Sequence, residues 1–161
     1  KIIFHMGDFV FNSINLVNSD WRPAGQHYLI LGNHDKRVHG AHRNLYREFF
    51  THIIGDYRNW KTNSLRIMVG KHRLLLSHTA QMDIGRAHLN LYGHIHNKTT
   101  EFLMGNDKYR NACVEVTGYK PLSLEELVKR PQPTTVNVYE DRDDDITHDD
   151  FLRRATNANT I

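Results

Sequence analysis

Four times along this chain a short apolar run ends in a small residue followed by a side chain able to bind a metal or move a proton. Ile2-Ile3-Phe4 leads to Gly7-Asp8, and His27-Tyr28-Leu29-Ile30-Leu31 leads to Gly32-Asn33-His34-Asp35. Leu74-Leu75-Leu76 leads to Ser77-His78-Thr79, and Leu89-Asn90-Leu91-Tyr92 leads to Gly93-His94-Ile95-His96. Runs this short read as buried strands rather than helices. Each polar motif is then delivered at the C-terminal end of a strand. α/β proteins gather their sites at that edge of the sheet.

The pattern between the runs sets the organisation. Residues 12–21 read as a helix or helical loop, closed by Trp21-Arg22-Pro23-Ala24-Gly25. The first third is therefore strand, helix, strand, as in a parallel α/β sheet. Residues 42–52 place Leu45, Phe49 and Ile53 at helical spacing and predict an amphipathic helix. A β-rich half follows. Residues 65–69 and 73–76 flank Gly70-Lys71-His72 and predict a hairpin, and residues 108–116 alternate loosely as a further strand. Ser123-Leu124-Glu125-Glu126 predicts an N-capped helix running to Lys129. Pro131-Gln132-Pro133 breaks the pattern. The acidic run at 140–145 reads as disordered, with Val136-Asn137-Val138-Tyr139 either an edge strand or a docking segment. There is no internal repeat.

At 161 residues and 39% apolar content the chain fits one globular domain with one core. A lone cysteine, Cys113, excludes an internal disulfide and a Cys-rich zinc site. It reads as a small core residue in a reducing compartment, and a cytoplasmic location is expected. No run approaches a membrane span and no signal peptide is visible, although the chain starts at Lys1 rather than Met. Of 21 basic and 18 acidic residues, residues 131–161 hold three and seven, so residues 1–130 hold 18 and 11. A basic body suits an anionic substrate, nucleic acid included; solvated surface is the plainer reading. The acidic tail is expected to dock, if ordered, on that body or on another protein chain. Twelve histidines suit metal or acid–base chemistry.

Each motif alone has an ordinary reading. Gly-Asp after a strand is commonly a turn, and Asn-His-Asp serves as a turn or helix cap. His94 and His96 share a face if the strand is regular, where one of them would serve equally as a core histidine. In their order, the four motifs resemble the calcineurin-like metallophosphoesterases, and the likeness covers roughly residues 1–130. The resemblance implies a four-layer α-β-β-α sandwich of two mixed sheets. It implies two divalent metal ions (Mn, Fe, Zn or Ni, with Mn favoured) about 3.5–4 Å apart. By the same resemblance Asp8 bridges the metals, Asn33, His78 and His94 complete the second, and His96 serves the first. His34 looks like the catalytic acid and Asp35 like its orienting carboxylate.

The implied activity is phosphoester hydrolysis, most closely that of small bacterial or phage phosphodiesterases in a prokaryotic or phage-infected cell. The expected substrate is a small phosphodiester or nucleic acid, with no membrane partner. The family's Asp-x-His motif is expected upstream of Gly7-Asp8, where this sequence has six residues. A truncated chain explains that simply. The rival reading is a non-catalytic binding or structural subunit that keeps the fold; a nuclease is a further alternative. His5, on the face opposite Asp8, reads as a core or sheet-face residue. His39 and His42 border the cleft or face solvent, and Lys36 and Arg37 either attract phosphate or are solvated. Tyr119 resembles part of a closing strand with a structural role. No role is argued for His27, His52, His72, His88 or His148.

Overall fold

The computed structural model describes residues 1–10, 20, 22, 24–35 and 41–129. The expected helix at 12–21 apart from Asp20, the positions Lys36, Arg37 and His39, and the tail at 131–161 lie outside them. The described residues form a mixed α/β fold with two sheets. The first is parallel, in the order β1 (Ile2–His5), β2 (Gln26–Ile30), β3 (His52–Ile54). The second runs β4 (Ser64–Val69), β5 (His72–Ser77), β6 (Leu89–Tyr92), β7 (Tyr109–Asn111). There β4 and β5 form the expected antiparallel hairpin, and β5, β6 and β7 are parallel. The helices are α1 (Ala41–Phe49), α2 (Val114–Thr117) and α3 (Leu124–Lys129).

Strand alternation sorts the apolar side chains into three layers of packing. Leu29 and Ile30 are adjacent on β2, point to opposite faces and are both wholly buried. Leu29 packs with Leu31, Tyr46, Phe49 and Phe50, between the first sheet and α1. Ile30 packs with Leu74, Leu76, Leu89, Leu91 and Leu127, a cluster to which both sheets and α3 contribute. Leu75 and Tyr92 turn the other way, onto Ile84, Ile95, Leu103 and Tyr109. Loops and a 3-10 turn (Glu101–Leu103) cover that side.

Three expected boundaries shift for local reasons. The helix predicted over 42–52 stops at Phe49: Phe50 N–H still reaches Tyr46 O, but Thr51 N–H donates to His27 O (2.8 Å) and starts β3. Ile53 is therefore a strand residue. The strand predicted over 108–116 ends at Asn111, whose Oδ1 accepts from Cys113 N–H (2.8 Å) and turns the chain into α2. Tyr119 lies in no strand and is largely exposed, with φ +57°. The capping box at Ser123 is present in both directions: Ser123 Oγ accepts from Glu126 N–H, and Glu126 Oε2 accepts from Ser123 N–H.

His5 faces the first sheet's aromatic cluster, edge-on to Phe9 and Phe50, with its Nε2 2.9 Å from His27 Nδ1. Burial and the adjacent His27 hold it neutral, with its pKa lowered to about 4. Cys113 is half-buried, and burial pushes its thiol up to about 12. Among the described residues no helix is long and apolar enough to cross a membrane.

Candidate metal centre

β1, β2, β5 and β6 all release their chains at one edge of the two sheets, and the loops that follow interlock. Met6 O receives His78 Nδ1–H (2.6 Å), and His78 O receives Gly93 N–H (2.9 Å). Asp35, wholly buried, accepts from Asp8 N–H (2.8 Å), Phe9 N–H (3.2 Å) and Gly32 N–H (2.9 Å). Asp8 Oδ1 accepts in turn from His34 N–H (2.9 Å). Two glycines make this approach possible. A Cβ on Gly7 would overlap the His78 ring and the Gly32 backbone, and one on Gly32 would overlap the Asp8 carboxylate and the same ring.

Asp8, His78 and His94 each offer a ligand atom within 4.8 Å of the others. Asn33 Oδ1 lies 2.9 Å from His78 Nε2, and Asp8 Oδ2 lies 3.4 Å from it. A carbonyl oxygen only accepts, so His78 must donate to Met6 from Nδ1. Burial lowers the His78 pKa, with the Asp8 charge and the Met6 carbonyl opposing, and leaves the ring neutral. Its Nε2 then carries a lone pair, and it faces two oxygen lone pairs. A cation placed among these atoms would relieve the repulsion between their lone pairs. Two oxygens and two imidazoles are donor types that divalent cations accept. The residues present therefore fit the implied cation.

Backbone strain marks the same loops. Among the described residues, the non-glycine positions with positive φ are Asp8 (+55°), His94 (+70°), His96 (+53°) and Tyr119 (+57°). Three of the four are candidate ligands. Such conformations cost on the order of 1–3 kcal/mol each and persist where surrounding contacts hold them.

The remaining candidates sit differently. His34 is half-buried on the Gly32 loop, within electrostatic reach of His78. The Asp35 carboxylate, expected to orient His34, accepts from backbone N–H groups of two loops and so clamps them together. Burial drives its pKa up to about 6; the Gly32 N–H pulls it down and the Asp8 charge adds to the rise. His96 lies outside the three-residue cluster, its Nδ1 2.5 Å from Glu115 Oε1. The sequence reading missed Glu115, and it missed Trp60. The half-buried Trp60 ring stands 5.0 Å from the His94 ring and 5.8 Å from the His78 ring, walling one side of the cluster. Neither residue belongs to a Gly- or Ser-led strand-end motif of the kind that marked the others; both arrive through tertiary contact.

No protein-family model and no curated protein matches this chain. Its structure is similar to that of AQ665, a protein of unknown function from Aquifex aeolicus, with a TM-score of 0.54 and 22% identity. The likeness covers 78% of this chain and 73% of that one, and it bears on the fold alone.

Proposed function

We propose that this chain is a metal-dependent phosphoester hydrolase, best suited to phosphodiesters, acting through two divalent cations with Mn favoured. One observation carries the reading: Asp8, Asn33, His78 and His94 bring four lone-pair donors together from four strand ends. Asp8 and His96 are the groups assigned to the other cation. The two sheets with a shared core suit the four-layer sandwich of the calcineurin-like enzymes.

When bound, the cations supply positive charge to the phosphoryl oxygens and acidify an attacking water. The chain's own groups do the rest. The Asp8 carboxylate would offset part of the cations' charge, and its Oδ1 holds the His34 backbone in place. As the water oxygen bonds to phosphorus and the ester P–O bond breaks, His34 would pass a proton to the leaving alkoxide. Asp35 keeps the Asp8 and Gly32 loops in register, and Trp60 screens the histidines from water on one side. The basic charge of residues 1–130 favours approach of an anionic substrate.

The test is metal content and bis-p-nitrophenyl phosphate hydrolysis of the metal-stripped chain reloaded with Mn, beside Asp8→Asn. The wild type should bind Mn and turn over, and Asp8→Asn should lose both. Mn bound equally by the variant would sink the assignment. One cation per chain with no turnover would mark a binding module instead.

A further inference from the structure

His96 is the odd member among the candidate ligands. Its side chain is 59% exposed, yet its backbone is held left-handed at φ +53°. An exposed non-glycine residue does not stay there unless something holds it. Asn111, at the end of β7, does so from one side: its Nδ2 donates to His96 O (2.6 Å). Its Oδ1 accepts from Cys113 N–H and so sets the turn that begins α2. α2 in turn carries Glu115, which is half-buried and whose Oε1 faces His96 Nδ1 at 2.5 Å. One asparagine thus fixes both the histidine and the element that presents its carboxylate partner.

An ionised carboxylate accepts and cannot donate. The His96 Nδ1 therefore carries the hydrogen, and Nε2 is the nitrogen left bare in the neutral ring. His78 has the same arrangement, with the Met6 carbonyl in place of the carboxylate. We infer that Glu115 is a positioning residue: it fixes His96 as the Nδ1–H tautomer and leaves Nε2 as the bare nitrogen that can take a cation. This rests on the metallohydrolase reading above. A carboxylate behind a ligating imidazole orients the ring and raises its basicity, and removing such partners typically costs roughly 10- to 100-fold in metal affinity.

The experiment uses the full chain in three forms: wild type, Glu115→Gln and Glu115→Ala. Nitrogen-15 correlation spectra of the histidine rings in metal-free protein at pH 8 report the tautomers. His96→Asn identifies the His96 signals. The wild type should show His96 protonated at Nδ1, Glu115→Gln should retain that form, and Glu115→Ala should revert to the Nε2–H form usual for free imidazole. Calorimetric titration with Mn should then show the weaker of two sites lost or weakened by roughly 10- to 100-fold in Glu115→Ala. Glu115→Gln should lose less, and the site at Asn33, His78 and His94 should be untouched in both. An unchanged His96 tautomer in Glu115→Ala overturns the inference. So does an unchanged weaker site. If the tautomers behave as stated but the wild type binds no Mn, the positioning contact survives and the hydrolase reading falls.

Discussion

Single residues decide whether the candidate ligands can meet. Gly32 is the clearest case, because the space a methyl group would need is taken by the Asp8 carboxylate and the His78 ring. Gly32→Ala must push one of them aside. Destabilisation of about 1–3 kcal/mol is expected, from urea unfolding, together with weaker Mn binding by calorimetry. Unchanged Mn affinity would show that the ring and carboxylate have room to move. His5 makes a separate residue-scale prediction. Its folded pKa of about 4 lies below the ordinary 6.5, so the unfolded chain takes up the proton first as pH falls. Its contribution is complete above pH 6.5 and is lost between 6.5 and 4, at up to about 1.4 kcal/mol per pH unit. Asp35 works in the opposite direction. With its folded pKa raised to about 6 from 3.8, it favours the folded state as pH falls from 6 to 3.8. Urea midpoints of the wild type and His5→Leu isolate the His5 part, since Asp35 is common to both. Parallel curves from pH 7 to 4 would reject it. Asp8, Asn33, His78 and His94 were legible in the sequence because each follows an apolar run at a strand end. Glu115 and Trp60 were not, because their positions depend on where α2 and the segment at 57–62 pack. Asp35 was expected to orient His34, and spacing could not show its bonds to the Asp8 and Phe9 N–H groups, 27 and 26 residues away.

Elements were legible where local chemistry agrees with packing. The hairpin of β4 and β5 turns at Gly70, which has φ +56°, and its register runs from Val69 and His72 as the apolar runs require. α3 announces itself by its capping box, and the structure adds what spacing did not say: Leu127 is buried in the cluster both sheets share. Boundaries failed where one hydrogen bond outweighed pattern, a long-range one at Thr51 and a local side-chain one at Asn111. α3 is short, with six residues, so its cap and its anchor should both matter. Ser123→Ala should cost about 1 kcal/mol by losing the Glu126 N–H acceptor. Leu127→Ala should cost about 2–5 kcal/mol by opening a cavity between helix and sheets. Thermal unfolding of the two variants checks the order. A larger loss for Ser123→Ala than for Leu127→Ala would mean that α3 is held by its end and not by its anchor.

At the scale of the molecule, the candidate centre is a bridge. Asp8 and Asn33 follow β1 and β2 of the first sheet, while His78 and His94 follow β5 and β6 of the second. A cation held by all four would tie the two sheets together at the edge where their loops meet. Unfolding separates those sheets and destroys the site, so binding should stabilise the whole described fold and not one loop. The size follows from linkage: about 2.7 kcal/mol at a free Mn concentration of 100 times Kd. For a domain of this length, roughly 2–4 °C in Tm is expected per kcal/mol. Saturating Mn should therefore raise the Tm of the wild type by roughly 5–11 °C, and excess chelator should reverse it. Asp8→Asn and His78→Ala, on opposite sheets, should each abolish most of the shift while still unfolding cooperatively. A wild-type Tm indifferent to Mn would remove the bridge. An equal rise in Asp8→Asn would place the stabilising cation elsewhere on the molecule.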